Sequence, residues 1–184
     1  KLTDFRQDHA TGVILAMDQM SLYFQATTTR VWARRGQTPA VRVATPRDHV
    51  HFYGALNVCS GQESALTLPG QSGEMTCHFL DHLQAIYPRR ALFILWDRAK
   101  WHQGATIRDY LRQHPHIQTQ HFPPGSPQLN PQEHVWERTR DAVSHNHTRK
   151  DFPALVQAFR HHLETTCFKI DWVEKYIPPE LVST

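Results

Sequence analysis

No apolar run in these 184 residues approaches the ~20 that a membrane-spanning helix requires, and no signal-peptide pattern is present. Cysteine is scarce: Cys59, Cys77 and Cys167 are odd in number and contain no Cys-x-x-Cys pair. That argues against a disulfide framework and for reduced thiols in a cytosolic or nuclear setting. Fourteen histidines invite a zinc reading, yet neither His145-Asn146-His147 nor His161-His162 has the usual ligand spacing. Internal repeats and low-complexity tracts are missing. Bulk charge is small, at +3, although the pI near 8.9 leans basic. Acid is missing altogether between Asp18 and Asp48, where Arg30, Arg34, Arg35, Arg42 and Arg47 fall. Such a block suits phosphate contacts. A solvated hairpin face would have the same composition.

What is present is an ordinary globular composition, 40% hydrophobic and 20% charged, over a length that suits one domain with a sizeable core. Residues 1–164 are expected to form that domain, and 165–184 an aromatic tail that packs on it or on a partner. Lys1 to Gly12 reads as a short helix or a linker. Val13 to Phe24 reads as a strand and the start of a second. His49 to Val58 alternates like a strand, with Ser64 to Leu68 as its hairpin partner. Met75, Phe79, Leu80, Leu83 and Ile86 lie on one face of a helix over Glu74 to Tyr87. A central strand, a short helix, a strand and two further helices follow. The order predicts a mixed α/β sheet flanked by helices.

Two apolar runs end in aspartate. Val13-Ile14-Leu15-Ala16-Met17 meets Asp18, and Ala91-Leu92-Phe93-Ile94-Leu95-Trp96 meets Asp97. Such runs read as buried strands. Side by side and parallel, they would present both acids at one edge of the sheet, where open α/β folds bind ligands. Neighbouring strands are about 4.8 Å apart. Carboxylates that close repel unless a proton or cation sits between them. The third acid is Glu133. It follows the stiff loop Phe122-Pro123-Pro124-Gly125-Ser126-Pro127-Gln128-Leu129-Asn130, with Asn130 as N-cap and Pro131 as first helical residue. Each acid also has a local reading. An aspartate after a strand is a common turn or cap residue, and Glu133 could complete a capping box.

Asp97-Arg98-Ala99-Lys100-Trp101-His102 resembles the Asp-Asn-Ala-x-x-His box of mariner-type transposases and their bacterial insertion-sequence relatives. Pro123 to Trp136 resembles their Leu-Pro-x-x-Ser-Pro-x-Leu-Asn-Pro-Ile-Glu-x-x-Trp signature, and Trp32 to Pro39 their Trp-x-x-x-Gly-x-x-Pro segment. The 35 residues between Asp97 and Glu133 are in that family's usual range. The resemblance implies a ribonuclease H-like fold and an Asp18, Asp97, Glu133 triad holding two Mg²⁺ ions, with Mn²⁺ able to substitute. Asp18 would bridge both ions, Asp97 hold one and Glu133 the other. It further implies cleavage of double-stranded DNA at transposon ends by water, then joining of the freed 3′-hydroxyl to target DNA. The family works as dimers, and a bacterial member would be cytoplasmic and nucleoid-associated. Arg34, Arg35, Arg98, Lys100 and His102 are the candidate DNA contacts.

The chain departs from the family pattern at Gln19, where Glu is usual, at Arg98, where Asn is usual, and at Gly125, where an aromatic is common. No triad acid is lost. The changes leave open a second class of function, an inactive or repurposed transposase-derived DNA-binding or assembly module. The family's helix-turn-helix segment upstream of the catalytic domain has no counterpart here, so the expectation is a chain without the module that recognises transposon ends.

Overall fold

The computed structural model describes residues 1–25, 32–37 and 48–169. After a short helix, α1 (Leu2–Asp8), come strands β1 (Val13–Tyr23), β2 (His49–Asn57) and β3 (Glu63–Leu68). Then follow α2 (Gly73–Ile86), β4 (Leu92–Trp96), α3 (Ala105–Gln113), β5 (Ile117–His121), α4 (Pro131–Thr139) and α5 (Phe152–Thr165). The five strands form one mixed sheet in the order β3-β2-β1-β4-β5. β1, β2 and β3 meander antiparallel, whereas β4 and β5 run parallel to β1. Among the described residues no helix is long and apolar enough to cross a membrane.

Both faces of the sheet are covered, which is why β1 and β4 read as nearly continuous apolar runs. On one face Val13, Leu15 and Met17 of β1 pack with Ile94 and Trp96 of β4 beneath Phe79, Leu80 and Leu83 of α2 and Ile107 of α3. On the other, Met20 and Leu22 pack with Phe52 and Leu56 of β2 beneath Val135 and Trp136 of α4 and Leu155, Phe159 and Leu163 of α5. Ile14 and Ala16 share this second face and meet Phe5 of α1. The α2 stripe holds except at its end, where Ile86, the last helical residue, is 42% exposed.

The expectation that Asp18 closes its strand is corrected. β1 continues to Tyr23, because β2 goes on pairing with it from Asn57 opposite Leu15 to His49 opposite Tyr23. Only the β4 side of the ladder stops early, after Ala16 opposite Leu95. Asp18 is therefore a mid-strand residue on the stretch of β1 that has lost its parallel neighbour. The described start of the tail folds back: the Phe168 amide donates to the Gly61 carbonyl at 2.7 Å, and its ring joins the α5 core. Trp172, Tyr176, Ile177 and Pro178-Pro179, like Arg30, Thr38, Pro39, Arg42 and Arg47, lie outside the described residues.

Candidate active site

The register of β1 against β4 decides the site. Val13 lies opposite Leu92 and Ala16 opposite Leu95. Continued by two residues, that register brings Asp18 level with Asp97. Side chains alternate across a strand, so Asp18, between Ala16 and Met20, falls on the α4 face. There the Trp136 indole Nε1–H donates to Asp18 Oδ2 at 3.2 Å. Glu133 starts α4 one turn earlier. The Asn130 side chain accepts from the Gln132 amide at 3.1 Å and caps this helix, with Pro131 in its first turn. Such a cap contributes about 1 kcal/mol and fixes where the helix begins.

Asp18, Asp97 and Glu133 line a single cleft of about 370 Å³, walled by Arg98, Ala99 and the loop from Phe122 to Pro127. Gly125 takes a positive φ of 65° in that loop, a backbone shape an aromatic residue would adopt only with strain. Asp18 is 9% exposed, while Asp97 and Glu133 are open to solvent. Burial, reinforced by the charges of Glu133 and Asp97, pushes the Asp18 carboxyl up to about 7, against hydrogen bonds from the Gln19 backbone and Trp136. Asp97 behaves oppositely. Burial pulls it up, but hydrogen bonds from His102 and the Ala99 amide, with the nearby His102 and His121, hold it below the usual carboxylate range.

The donor set fits hard divalent cations: three carboxylates, one of which is destabilised as an anion until positive charge arrives. Among the described residues no three His, Cys, Asp or Glu side chains stand close enough together to hold an ion as they are placed. The three acids share one cleft and each other's field.

His102 is placed differently from the expectation. It is 2% exposed and stacked on Trp96, with ring centroids 4.6 Å apart, so it offers no surface to DNA. Its Nδ1 lies 2.7 Å from Asp97 Oδ1, and its Nε2 lies 2.9 Å from Gln19 Nε2. Trp101 settles the direction. Its indole can only donate and takes Gln19 Oε1 at 2.6 Å. The Gln19 amide nitrogen must then donate to Nε2, and Nδ1–H donates to Asp97. Gln19 thus connects the strand of the first acid to the second acid, a role its neighbourhood in sequence does not reveal.

Arg98 lines the cleft, and Lys100 is exposed on the turn after β4. Arg34 and Arg35 are exposed beside a fully exposed Trp32, but they do not line the cleft. Sequence reasoning missed Glu63. Its carboxyl reaches under the site from the start of β3 and accepts from Gln132 Nε2 at 2.8 Å. Only the fold brings it there; no local pattern marks it.

Residues 13–156 match the family model described as DDE superfamily endonuclease. Over 151 residues the chain is 26% identical to the insertion element IS630 uncharacterized 39 kDa protein of Shigella sonnei, covering 80% of this chain and 43% of that protein. Its fold is similar to that of the Mos1 transposase in a paired-end complex with the left transposon end. That match has a TM-score of 0.67 and 16% identity, over 98% of this chain and 56% of the other. The catalytic domain of Mos1 mariner transposase gives a TM-score of 0.62 at 11% identity, over 98% of this chain and 84% of that domain. The expected ribonuclease H-like sheet is the one observed. The chain spans about half the length of the full-length relatives it matches.

Proposed function

The chain belongs to the DDE superfamily endonuclease family, and from that premise we propose that it is the catalytic domain of an insertion-sequence transposase. In this reading it cuts double-stranded DNA at transposon ends in an Mg²⁺-dependent reaction with water, then joins the released 3′-hydroxyl to target DNA. The observation that carries the reading is the convergence of Asp18, Asp97 and Glu133 on one cleft, with Asp18 already short of positive charge.

Asp18, Asp97 and Glu133 would hold two Mg²⁺ ions, for which Mn²⁺ could substitute. Bound Mg²⁺ would supply charge neutralisation at the phosphate and would lower the pKa of a bound water. The chain's own residues do the positioning. Trp136 orients Asp18, His102 orients Asp97, and the proline loop with the Asn130 cap aims Glu133. Arg98 and Lys100 would hold the phosphodiester backbone next to the cleft, and Arg34 and Arg35 would hold it farther out. A homodimer acting on paired ends, in the bacterial cytoplasm and on the nucleoid, completes the proposal. Complexes of Mos1 with Mg and with Mn support the choice of ions.

One observation favours a second reading, an inactive binding or assembly module: Arg98 puts a permanent cation on the cleft wall. A duplex with a free 3′-hydroxyl and a supercoiled plasmid, incubated with the chain and Mg²⁺, separates the two. The catalytic reading expects nicking and end-joining that Asp97→Asn and Glu133→Gln abolish. Equal products from parent and variants would sink it. Nicking without joining would reduce it to a nuclease.

A further inference from the structure

We propose that Glu63 is a positioning residue: through Gln132 it sets the depth and rotation of α4, and so the placement of Glu133 against Asp18. The inference deepens the function proposed above and rests on it.

Gln132 and Trp136 are four residues apart on α4, hence on one face, and both are completely buried. Glu133, one residue on from Gln132, is turned about 100° away toward the cleft. The buried face is attached to the sheet by directional bonds. Trp136 donates to Asp18 on β1. Gln132 Oε1 accepts from the Leu56 amide of β2 at 3.0 Å, and its Nε2 donates to Glu63 Oε1 of β3 at 2.8 Å. Three adjacent strands thus fix one helix. Apolar packing of Val135 alone would tolerate a slide; bonds of defined direction do not. A slip of one residue would move Glu133 by about 1.5 Å along the axis and rotate it by about 100°.

The space for this bridge exists because position 54 carries no side chain. Gly54 lies opposite Asp18 in the β1–β2 register. A Cβ there would sit under 3.0 Å from Glu63 Oε1, the Trp136 ring and Gln132 Nε2 together. Glu63 is half-buried as a residue, but its Oε2 is sealed from solvent without a hydrogen-bond partner. Burial pushes its carboxyl well up, against hydrogen bonds from Gln132 and Ala55, with Asp18 adding to the rise. Its Oε1 gives the Gln132 amide an acceptor directly beneath the triad.

The test compares Glu63→Gln, Glu63→Ala and Glu63→Met by two readouts, Mn²⁺ affinity from calorimetry and the NMR resonance of the Trp136 indole N–H. Glutamine keeps the acceptor for Gln132, so both readouts should stay at parental values. Alanine and methionine should weaken Mn²⁺ binding roughly tenfold, as loss of an outer-layer partner does, and should shift the indole resonance. Methionine retains the volume should alanine fail to fold. Parental readouts in the folded apolar variants would overturn the inference, as would a glutamine variant as impaired as they are. If the parent itself binds no Mn²⁺, the metal-dependent function fails, and the indole resonance still decides the bridge.

Discussion

Asp18→Asn separates the charge of one carboxylate from everything else in the fold. The Asp18 carboxyl, ordinarily near 3.8, is raised to about 7 in the folded protein. Between about pH 4 and pH 7 the native state holds a proton that the unfolded chain has released. Stability must fall as pH rises through that window, because the native state binds more protons than the unfolded one. Roughly three pH units at about 1.4 kcal/mol each come to about 4 kcal/mol lost by pH 8. For a chain of this size that is a fall in Tm of about 8–16 °C. Glu63, also raised, contributes in the same direction, and Asp97, held low, contributes stability that is lost only in acid. Both remain in the variant and cancel to first order. Thermal melts of parent and Asp18→Asn at pH 5 and pH 8, in metal-free buffer, isolate the effect. The parent should lose several degrees more than the variant. Added Mg²⁺ should restore the parent at pH 8 by mass action and do little at pH 5, where the proton occupies the carboxylate. Identical pH dependence in both proteins would refute the reasoning.

Gly54→Ala places a methyl group inside the Glu63, Gln132 and Trp136 contacts. Overpacking of that kind costs about 1–3 kcal/mol, so calorimetry should record a Tm several degrees lower, with a displaced Trp136 indole resonance. Gln19→Leu removes the acceptor for Trp101 and the donor to His102. The nitrogen-15 shift of His102 Nε2 should move as that atom loses its donor, while Nδ1–H stays on Asp97, and metal affinity at Asp97 should fall; an unchanged Nε2 shift would show that Gln19 does not bond the ring.

Much of the architecture was legible in local pattern. The apolar runs marked β1 and β4, the alternation after His49 marked β2, and Asn130-Pro131 marked the start of α4. The three acids stood out because the ends of apolar runs and a capped helix following a stiff loop are visible within a dozen residues. His102 was misplaced for the same reason. A histidine five residues after an acid reads as a surface contact until Trp96 is seen beneath it and Gln19, 83 residues earlier, is seen beside it.

Local pattern specifies which segments become strands and helices, which faces are apolar, and which acids are available, because these follow from nearest-neighbour sterics and from the spacing of apolar side chains. The tertiary structure alone decided that Asp18 lies level with Asp97, that β1 runs on past its acid, and that Glu63, Gly54 and Gln132 meet beneath the cleft. Those are choices of register between strands and of helix seating on a sheet. They depend on contacts between residues tens of positions apart, and no local preference specifies them.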